Sequence, residues 1–66
     1  MNTNKQYIET VDQIREVRDG RRGWISLTAA EGKCGVPKQN LAQIALAFGL
    51  VVRNHGKHGL SANRPA

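Results

Sequence analysis

Four polar residues mark the start of an apolar helical segment in the middle of this 66-residue sequence: Lys38, Gln39, Asn40 and Gln43. Amide side chains both donate and accept hydrogen bonds, so asparagine and glutamine can hold adenine through two bonds, and lysine can reach the acceptors of guanine. The chemistry that this group offers is therefore hydrogen bonding to base edges. The polar start of an ordinary core helix is the alternative interpretation of the same residues.

Cations and glycines are interspersed further along the chain, after a short β-branched run. They are Arg53, His55, Gly56, Lys57, His58 and Gly59. Glycines let a hairpin approach a sugar-phosphate backbone closely, and cations bind phosphate or a narrow minor groove. Arg21 and Arg22 form a second candidate for phosphate contacts. For both groups, a solvated basic loop is the alternative interpretation.

Positive charge is concentrated in one part of the sequence. The whole chain carries a formal net charge of +5. Residues 1–19 contain three cations and four carboxylates, whereas residues 20–66 contain seven cations and a single carboxylate, Glu31. A field polarised in this way concentrates polyanions near one side of a molecule and speeds their encounter with it. The charge pattern therefore favours a polyanionic partner.

The length of the chain favours a binding protein over an enzyme. A domain of this size buries only about 60% of the surface that its unfolded chain exposes. It has little room for a substrate cavity of the common size, roughly 300–1,000 Å³. Cys34, His55 and His58 could provide three zinc ligands, but structural zinc nearly always takes four. We therefore expect no catalytic residues, no metal and no cofactor.

Cysteine usage and hydropathy predict a cytoplasmic protein. Cys34 is the only cysteine, which excludes an internal disulfide and fits a reducing compartment. The first ten residues have no apolar core of the kind that a signal peptide needs. The longest apolar run, residues 41–52, is interrupted and too short to cross a hydrocarbon layer of about 30 Å. No membrane partner is expected.

Hydrophobic spacing predicts three helices, over residues 4–18, 27–34 and 37–48. Ser26 and Thr28 compete as the N-cap of the second helix. Gly35 and Pro37 separate the second helix from the third. The apolar residues on the predicted inner faces are Tyr7, Ile8, Val11, Ile14, Val17, Leu41, Ile44, Ala45 and Phe48.

Shorter segments complete the predicted domain. Residues 24–26 are a candidate short strand, and Trp24 is expected in the core rather than as a stacking platform. Residues 50–53 and 58–61 are candidate strands of a hairpin, because the first segment contains β-branched residues and residues 54–57 between the two have turn chemistry. We expect one domain over residues 1–62 and a flexible tail over residues 63–66.

This order of elements resembles the winged helix-turn-helix family. The likeness is strongest over residues 27–46, which are similar to the two-helix unit of bacterial, plasmid and phage regulators. In that unit a turn glycine precedes an apolar residue, a polar helix start and two further apolar residues. The corresponding residues here are Gly35, Val36, Lys38, Gln39, Asn40, Leu41 and Ile44. The resemblance implies a mainly α fold with a small β-hairpin, built as a three-helix winged helix-turn-helix.

One position departs from the family pattern. The family has a small residue four positions before the turn glycine, where the two helices come close, and this chain has Glu31 there. Either Ala30 takes the packing position in a turn that is one residue longer, or the Glu31 side chain leans outward.

The resemblance implies sequence-specific binding of double-stranded DNA by a small transcriptional regulator, or by an accessory protein of the excision or partition type, from a phage or plasmid. Lys38, Gln39, Asn40 and Gln43 would contact bases, and phosphate would be held by Arg21, Arg22, Arg53, His55, Lys57, His58 and Arg64. A monomer with about five phosphate contacts binds weakly, so we expect a homodimer or a cooperative oligomer, with the first helix as a candidate interface. The alternative is a small inhibitor or adaptor that docks on a host enzyme such as RNA polymerase.

Overall fold

The computed structural model describes residues 3–65, so Met1, Asn2 and Ala66 of the predicted domain and tail lie outside the described residues. The elements are α1 Thr3–Arg18, β1 Trp24–Ser26, α2 Leu27–Cys34, α3 Lys38–Ala47, β2 Val51–Asn54, a 3-10 turn Gly56–His58 and β3 Leu60–Asn63. Every predicted helix and strand is present, with bounds that differ from the prediction by at most two residues.

The three strands form one antiparallel sheet in the order β1-β3-β2. Asn63 of β3 is paired with Trp24 on one side and with Val51 on the other. In the next row Ala62 is paired with Ile25, and both are buried. Successive side chains of a strand point to opposite faces, so this second row faces the helices. Asn63, which was expected to belong to a flexible tail, is the last residue of the central strand.

Helix α1 is anchored through its C-terminal half. Ile14 and Val17 are fully buried, and Thr10 is buried with its hydroxyl donated to a carbonyl one turn earlier, at 2.9 Å. Ile8 is 58% exposed and Tyr7 is 37% exposed. The predicted apolar stripe is therefore confirmed in the second half of α1. In the first half it is wrong, because both of these side chains are exposed and neither belongs to the core.

The turn between α2 and α3 contains the residues that its geometry requires. Ser26 is the N-cap of α2, since its hydroxyl accepts a hydrogen bond from the amide of Ala29 at 3.2 Å. Gly35 ends α2 with a φ of 73°, a left-handed conformation that costs glycine little. Pro37 directly precedes α3, where its missing amide hydrogen removes no helical bond.

The core lies where the helices meet the inner face of the sheet. Within the described residues its fully or nearly fully buried apolar members are Ile14, Val17, Ile25, Leu27, Ala30, Cys34, Leu41, Ala45, Leu50 and Ala62. Trp24 is 57% exposed, so the expectation that it belongs to the core is wrong. Because side chains alternate along a strand, the inward position belongs to its neighbour Ile25, and Trp24 is left at the surface.

An aromatic residue beyond the end of α3 connects that helix to α1. The guanidinium groups of Arg15 and Arg18 lie over the ring of Phe48, at 5.9 Å and 5.1 Å from its centroid.

Residues 3–65 form a small, compact α/β domain of three helices and a three-stranded antiparallel sheet, with a radius of gyration of 10.9 Å. This architecture is compatible with a winged-helix layout.

Candidate nucleic-acid interface

Three of the four residues predicted to contact bases lie together on the solvent side of α3. Gln39, Asn40 and Gln43 are exposed, whereas Leu41 and Ala45 are buried on the opposite side. At about 100° per residue, Gln39 and Gln43 are roughly 40° apart around the helix, and Asn40 lies roughly 60° beyond Gln43. The three side chains therefore share one surface, which we call the amide face.

Lys38 is separated from the amide face. It is half-buried and lies about 100° from Gln39 around the helix, on the side of Ala42 and Ala45. Its backbone amide donates a hydrogen bond of 2.8 Å to a carboxylate oxygen, Oε2 of Glu31. Lys38 is thus the first residue of α3, bonded through its backbone to Glu31, and its side chain lies on a different side of the helix from the three amides.

The packing position of α2 belongs to Ala30, as in the first of the two alternatives, and Glu31 takes a role that neither alternative described. Ala30 is the residue of α2 that packs into the core, with 5% of its surface exposed, and Glu31 reaches across the turn to cap α3. A carboxylate at a helix N-terminus is also favoured by the partial positive charge there. The backbone amide of Lys38 is consequently occupied by an acceptor within the protein.

The turn of the β2–β3 hairpin is closed by its own hydrogen bonds. The amide of His55 donates to the carbonyl of Gly59 at 2.8 Å, and the side chain of Asn54 accepts from the amide of Gly56 at 2.8 Å. These bonds fix the backbone on which the cations are carried. The exposed cations and imidazoles of the hairpin are Arg53, His55, Lys57 and His58.

The hairpin is held against the start of α2. Gly59 is buried with a φ of 90°, and a Cβ atom at this position would overlap the hydroxyl of Thr28. The same hydroxyl accepts a hydrogen bond from the amide of Leu60 at 3.0 Å. Thr28, which competed with Ser26 as a helix cap, therefore positions the hairpin instead.

The imidazole of His55 faces the base of the hairpin. Its Nε2 lies 2.7 Å from the hydroxyl oxygen of Ser61, and Asn63 donates to the same oxygen at 2.9 Å. Ser61 is only 2% exposed. A buried hydroxyl needs hydrogen-bond partners, so one nitrogen of His55 is used to satisfy it rather than pointing to solvent.

Arg21 and Arg22 lie in the turn between α1 and β1. Because β3 runs antiparallel to β1 from the hairpin turn, the start of β1 is at the opposite end of the sheet from that turn. Arg22 Nε forms an exposed ion pair with a carboxylate oxygen of Glu16 at 3.3 Å. The structure therefore places these two arginines apart from the hairpin cations, with Arg22 already paired.

Two apolar residues on the same side of α3 as the amide face were missed. Leu46 is 52% exposed and Ala47 is exposed as well. Leu46 follows Gln39 by seven residues and Ala47 follows Gln43 by four, spacings that bring side chains to one side of a helix. The signal was present in these spacings, but the apolar character of both residues pointed to the core.

Among residues 3–65, no three His, Cys, Asp or Glu side chains come together as candidate metal ligands. None of the helices in that range has the length and apolar content needed to span a membrane. Comparison of the chain with protein-family models, with curated proteins and with solved structures finds no significant match. The function of this protein therefore has to be inferred from its own residues and their geometry.

Proposed function

We propose that this protein binds double-stranded DNA as a winged helix-turn-helix, with α3 in the major groove and the β2–β3 hairpin as the wing. In that arrangement the second helix of the pair presents one side to base edges and packs its other side on the domain. The element order and the contacts of α2, α3 and the hairpin with one another support this assignment.

The amide face is the observation that carries the proposal. Its three residues are exposed on a helix whose other side is core, and this exposed side holds no charged residue. Solvated helix surfaces ordinarily carry charges of both signs. Amides that can pair with adenine, followed by Leu46 and Ala47 as apolar groups for thymine methyls, fit the floor of a major groove better than they fit water.

The charge around this face supports the same partner. Residues 32–66 contain no aspartate or glutamate. Arg53, Lys57 and His58 are exposed on a hairpin that Thr28 holds in place, so they would contact phosphate beside the groove. Lys38 would contribute from the edge of α3, and Arg21 with Arg22 would need a separate stretch of backbone.

We extend the proposal to a homodimer or cooperative oligomer that acts as a cytoplasmic transcriptional regulator or as an accessory protein in excision or partition. Tyr7 and Ile8 are exposed on α1, which carries three cations and three carboxylates. Because this element has no net charge, a second copy approaches it with less repulsion than it meets elsewhere on the chain. Contacts through α1 would leave the basic remainder of both copies free.

The proposal is tested by titrating a labelled duplex with the full chain at two salt concentrations, followed by selection from random duplexes. We expect binding that weakens steeply with salt, because phosphate contacts release counterions. On the selected sequence, the double variant Gln39→Ala with Gln43→Ala should lower affinity about 10–100-fold. It should also abolish the preference for that sequence, which random-duplex selection on the variant would measure.

Two lysines provide a matched comparison of position at equal charge. Lys57→Ala in the hairpin should weaken all duplexes alike, by about threefold to tenfold, and should reduce the salt dependence by about one counterion. Lys33→Ala on the exposed side of α2 removes the same charge and should change duplex affinity far less. No binding at low salt, or equal losses for the two variants, would contradict the proposal.

A small inhibitor or adaptor that docks on a host enzyme such as RNA polymerase is the second candidate function. Leu46 favours it, because an apolar side chain that is 52% exposed is also suited to a protein interface. Leu46→Gln should then weaken host-protein binding more than duplex binding. If α3 binds DNA, the double variant Gln39→Ala with Gln43→Ala should instead cause the larger loss of affinity, and this loss should be measured with duplex DNA.

A further inference from the structure

A groove runs between α1 and α2 and ends at β1. At its β1 end it has a cavity volume of about 450 Å³ and is lined by Gln13 of α1, by Ala29 and Lys33 of α2, by Arg22 and by the three residues of β1. None of the helical side chains that line this groove is assigned a contact with DNA above. The groove is therefore a concave surface separate from the amide face, and its partner has to be inferred from its own chemistry.

The wall of this groove is the edge strand of the sheet. In the strand order β1-β3-β2, the one neighbour of β1 within residues 3–65 is β3. An edge strand presents unpaired amides and carbonyls, to which an extended chain can add as a further strand. Since Trp24, Ile25 and Ser26 all line the groove, a chain lying in it would run beside this edge.

Trp24 gives the groove an apolar contact at the same place. It is the only tryptophan of the chain, and 57% of its surface is exposed beside the edge. A partly buried indole is the kind of residue that dominates binding when a partner covers it. Small neighbours such as Ala29 and Ala30 leave room for that partner's side chains.

The charges at this end of the groove select an acidic partner. Arg22 and Lys33 line it and no carboxylate does, whereas Glu9 lines the adjoining part beyond Lys33. Arg22 uses Nε for Glu16, and its guanidinium carries further donors for a second carboxylate. We propose that the β1 end of the groove binds an extended acidic segment of a partner protein, which adds to β1 as a strand and places carboxylates at Arg22 and Lys33 and an apolar side chain on Trp24.

Two other occupants fit less well. A second copy that paired β1 with β1 would bring Arg22 and Lys33 close to the same cations of its mate, and like charges across an interface are unfavourable. Single-stranded nucleic acid is bound by several aromatic side chains that stack successive bases, whereas Trp24 is the one aromatic residue in this lining. Nucleic acid also cannot pair with the edge of β1 as an additional β-strand.

The fluorescence of Trp24 reports directly on this site, because the chain has no other tryptophan. The probe is an eight-residue peptide in which glutamate and valine alternate, titrated into the full chain, with a lysine–valine peptide as control. We expect a saturable blue shift with the acidic peptide alone, and backbone amide shifts in NMR spectra at residues 24–26. Lys33→Glu should weaken this binding by about fivefold to tenfold, while Lys57→Glu, with the same change in net charge, should not.

Other results would overturn the inference. These are the absence of a saturable shift with the acidic peptide, equal binding of the lysine peptide, or equal effects of Lys33→Glu and Lys57→Glu. A shift of Trp24 emission with protein concentration alone would assign the edge to a second copy, and a shift only with a single-stranded oligonucleotide would assign it to nucleic acid. Duplex titrations of the same two variants measure the DNA-binding proposal separately, so that either proposal can fail without the other.

Discussion

The amide face with its hairpin and the β1 end of the groove are both free of aspartate and glutamate, yet they present different groups to a partner. The first offers Gln39 and Gln43 on a convex helix, with cations on a hairpin beside it. The second offers an indole, two cations and a main-chain edge inside a concavity. A convex amide surface fits a nucleic-acid groove, whereas a concave strand edge fits an extended chain. The net charge of +5 is therefore insufficient to identify one partner for the whole molecule.

The two surfaces also differ in how firmly their cations are placed. The hairpin is closed by backbone hydrogen bonds and packed on α2 through Gly59 and Thr28. Arg22 is positioned by one exposed ion pair with Glu16, and such pairs contribute only about 0–1 kcal/mol. We infer that the hairpin presents its charges in a fixed geometry, while Arg22 is free to exchange its partner.

Gly59→Ala is expected to have the largest effect and to act on the hairpin side. The new Cβ would overlap Thr28 at a φ of 90°, so the free energy of unfolding should fall by about 2–4 kcal/mol in urea titrations. Duplex affinity should fall as well under conditions where the variant is folded. Gly32→Ala in α2, where a Cβ meets nothing within 4 Å, is the control and should stabilise by about 0.5–1 kcal/mol. Equal stability of the two variants would contradict this account of the hairpin.

Substitutions of Glu31 separate two effects of this residue: the hydrogen bond that caps α3 and the negative charge near the amide face. Glu31→Ala leaves the amide of Lys38 without its acceptor and should cost about 0.5–2 kcal/mol of unfolding free energy. Glu31→Gln keeps an oxygen acceptor and should cost less. By removing a negative charge near the amide face, it should raise duplex affinity about twofold to fivefold without changing binding of the acidic peptide. An unchanged duplex affinity would show that α3 does not approach phosphate at this end.

Arg18→Ala should have the smallest effect on the free energy of unfolding. It tests the contact between α1, which lines the groove, and Phe48 at the end of α3. The guanidinium of Arg18 lies 5.1 Å from the centroid of Phe48, an arrangement worth about 0.5–1 kcal/mol at an exposed site. Thermal or urea unfolding should detect that loss, and Arg18→Lys should lose less because it keeps a cation near the ring. A loss of the same size in both variants would mean that the charge does not contribute.

The helices and their ends were predictable because their signals are local. Gly35 and Pro37 set the turn between α2 and α3 through their own backbone preferences, and the apolar spacing of α3 requires one buried side. The exposed position of Gln39 and Gln43 follows from that spacing. The roles of Ser26 and Thr28 were undecided, since each hydroxyl can cap a helix and only the approach of Leu60, 32 residues later, assigns Thr28 to the hairpin.

The predictions that were wrong concern residues whose burial or direction depends on how the helices and strands pack together. Trp24 was expected inside because it is large and apolar, but pairing of β1 with β3 turns Ile25 inward instead. Ile8 belongs to a helical apolar stripe, yet the domain does not extend far enough to cover it. Lys38 was grouped with the amides because it precedes them in sequence, although it is half-buried and lies about 140° around the helix from Gln43, the middle residue of the amide face.

The amino-acid order of this chain thus specifies three helices, a hairpin and an uneven distribution of charge, since propensity, capping and periodicity act over a few residues. It does not specify that Glu31 caps α3, that Thr28 holds the hairpin, or that the open edge of β1 meets Trp24, Arg22 and Lys33 in one groove. Those arrangements join residues that are separated by a turn or by most of the chain. They exist because the packing of the helices and strands around the core brings these particular side chains together.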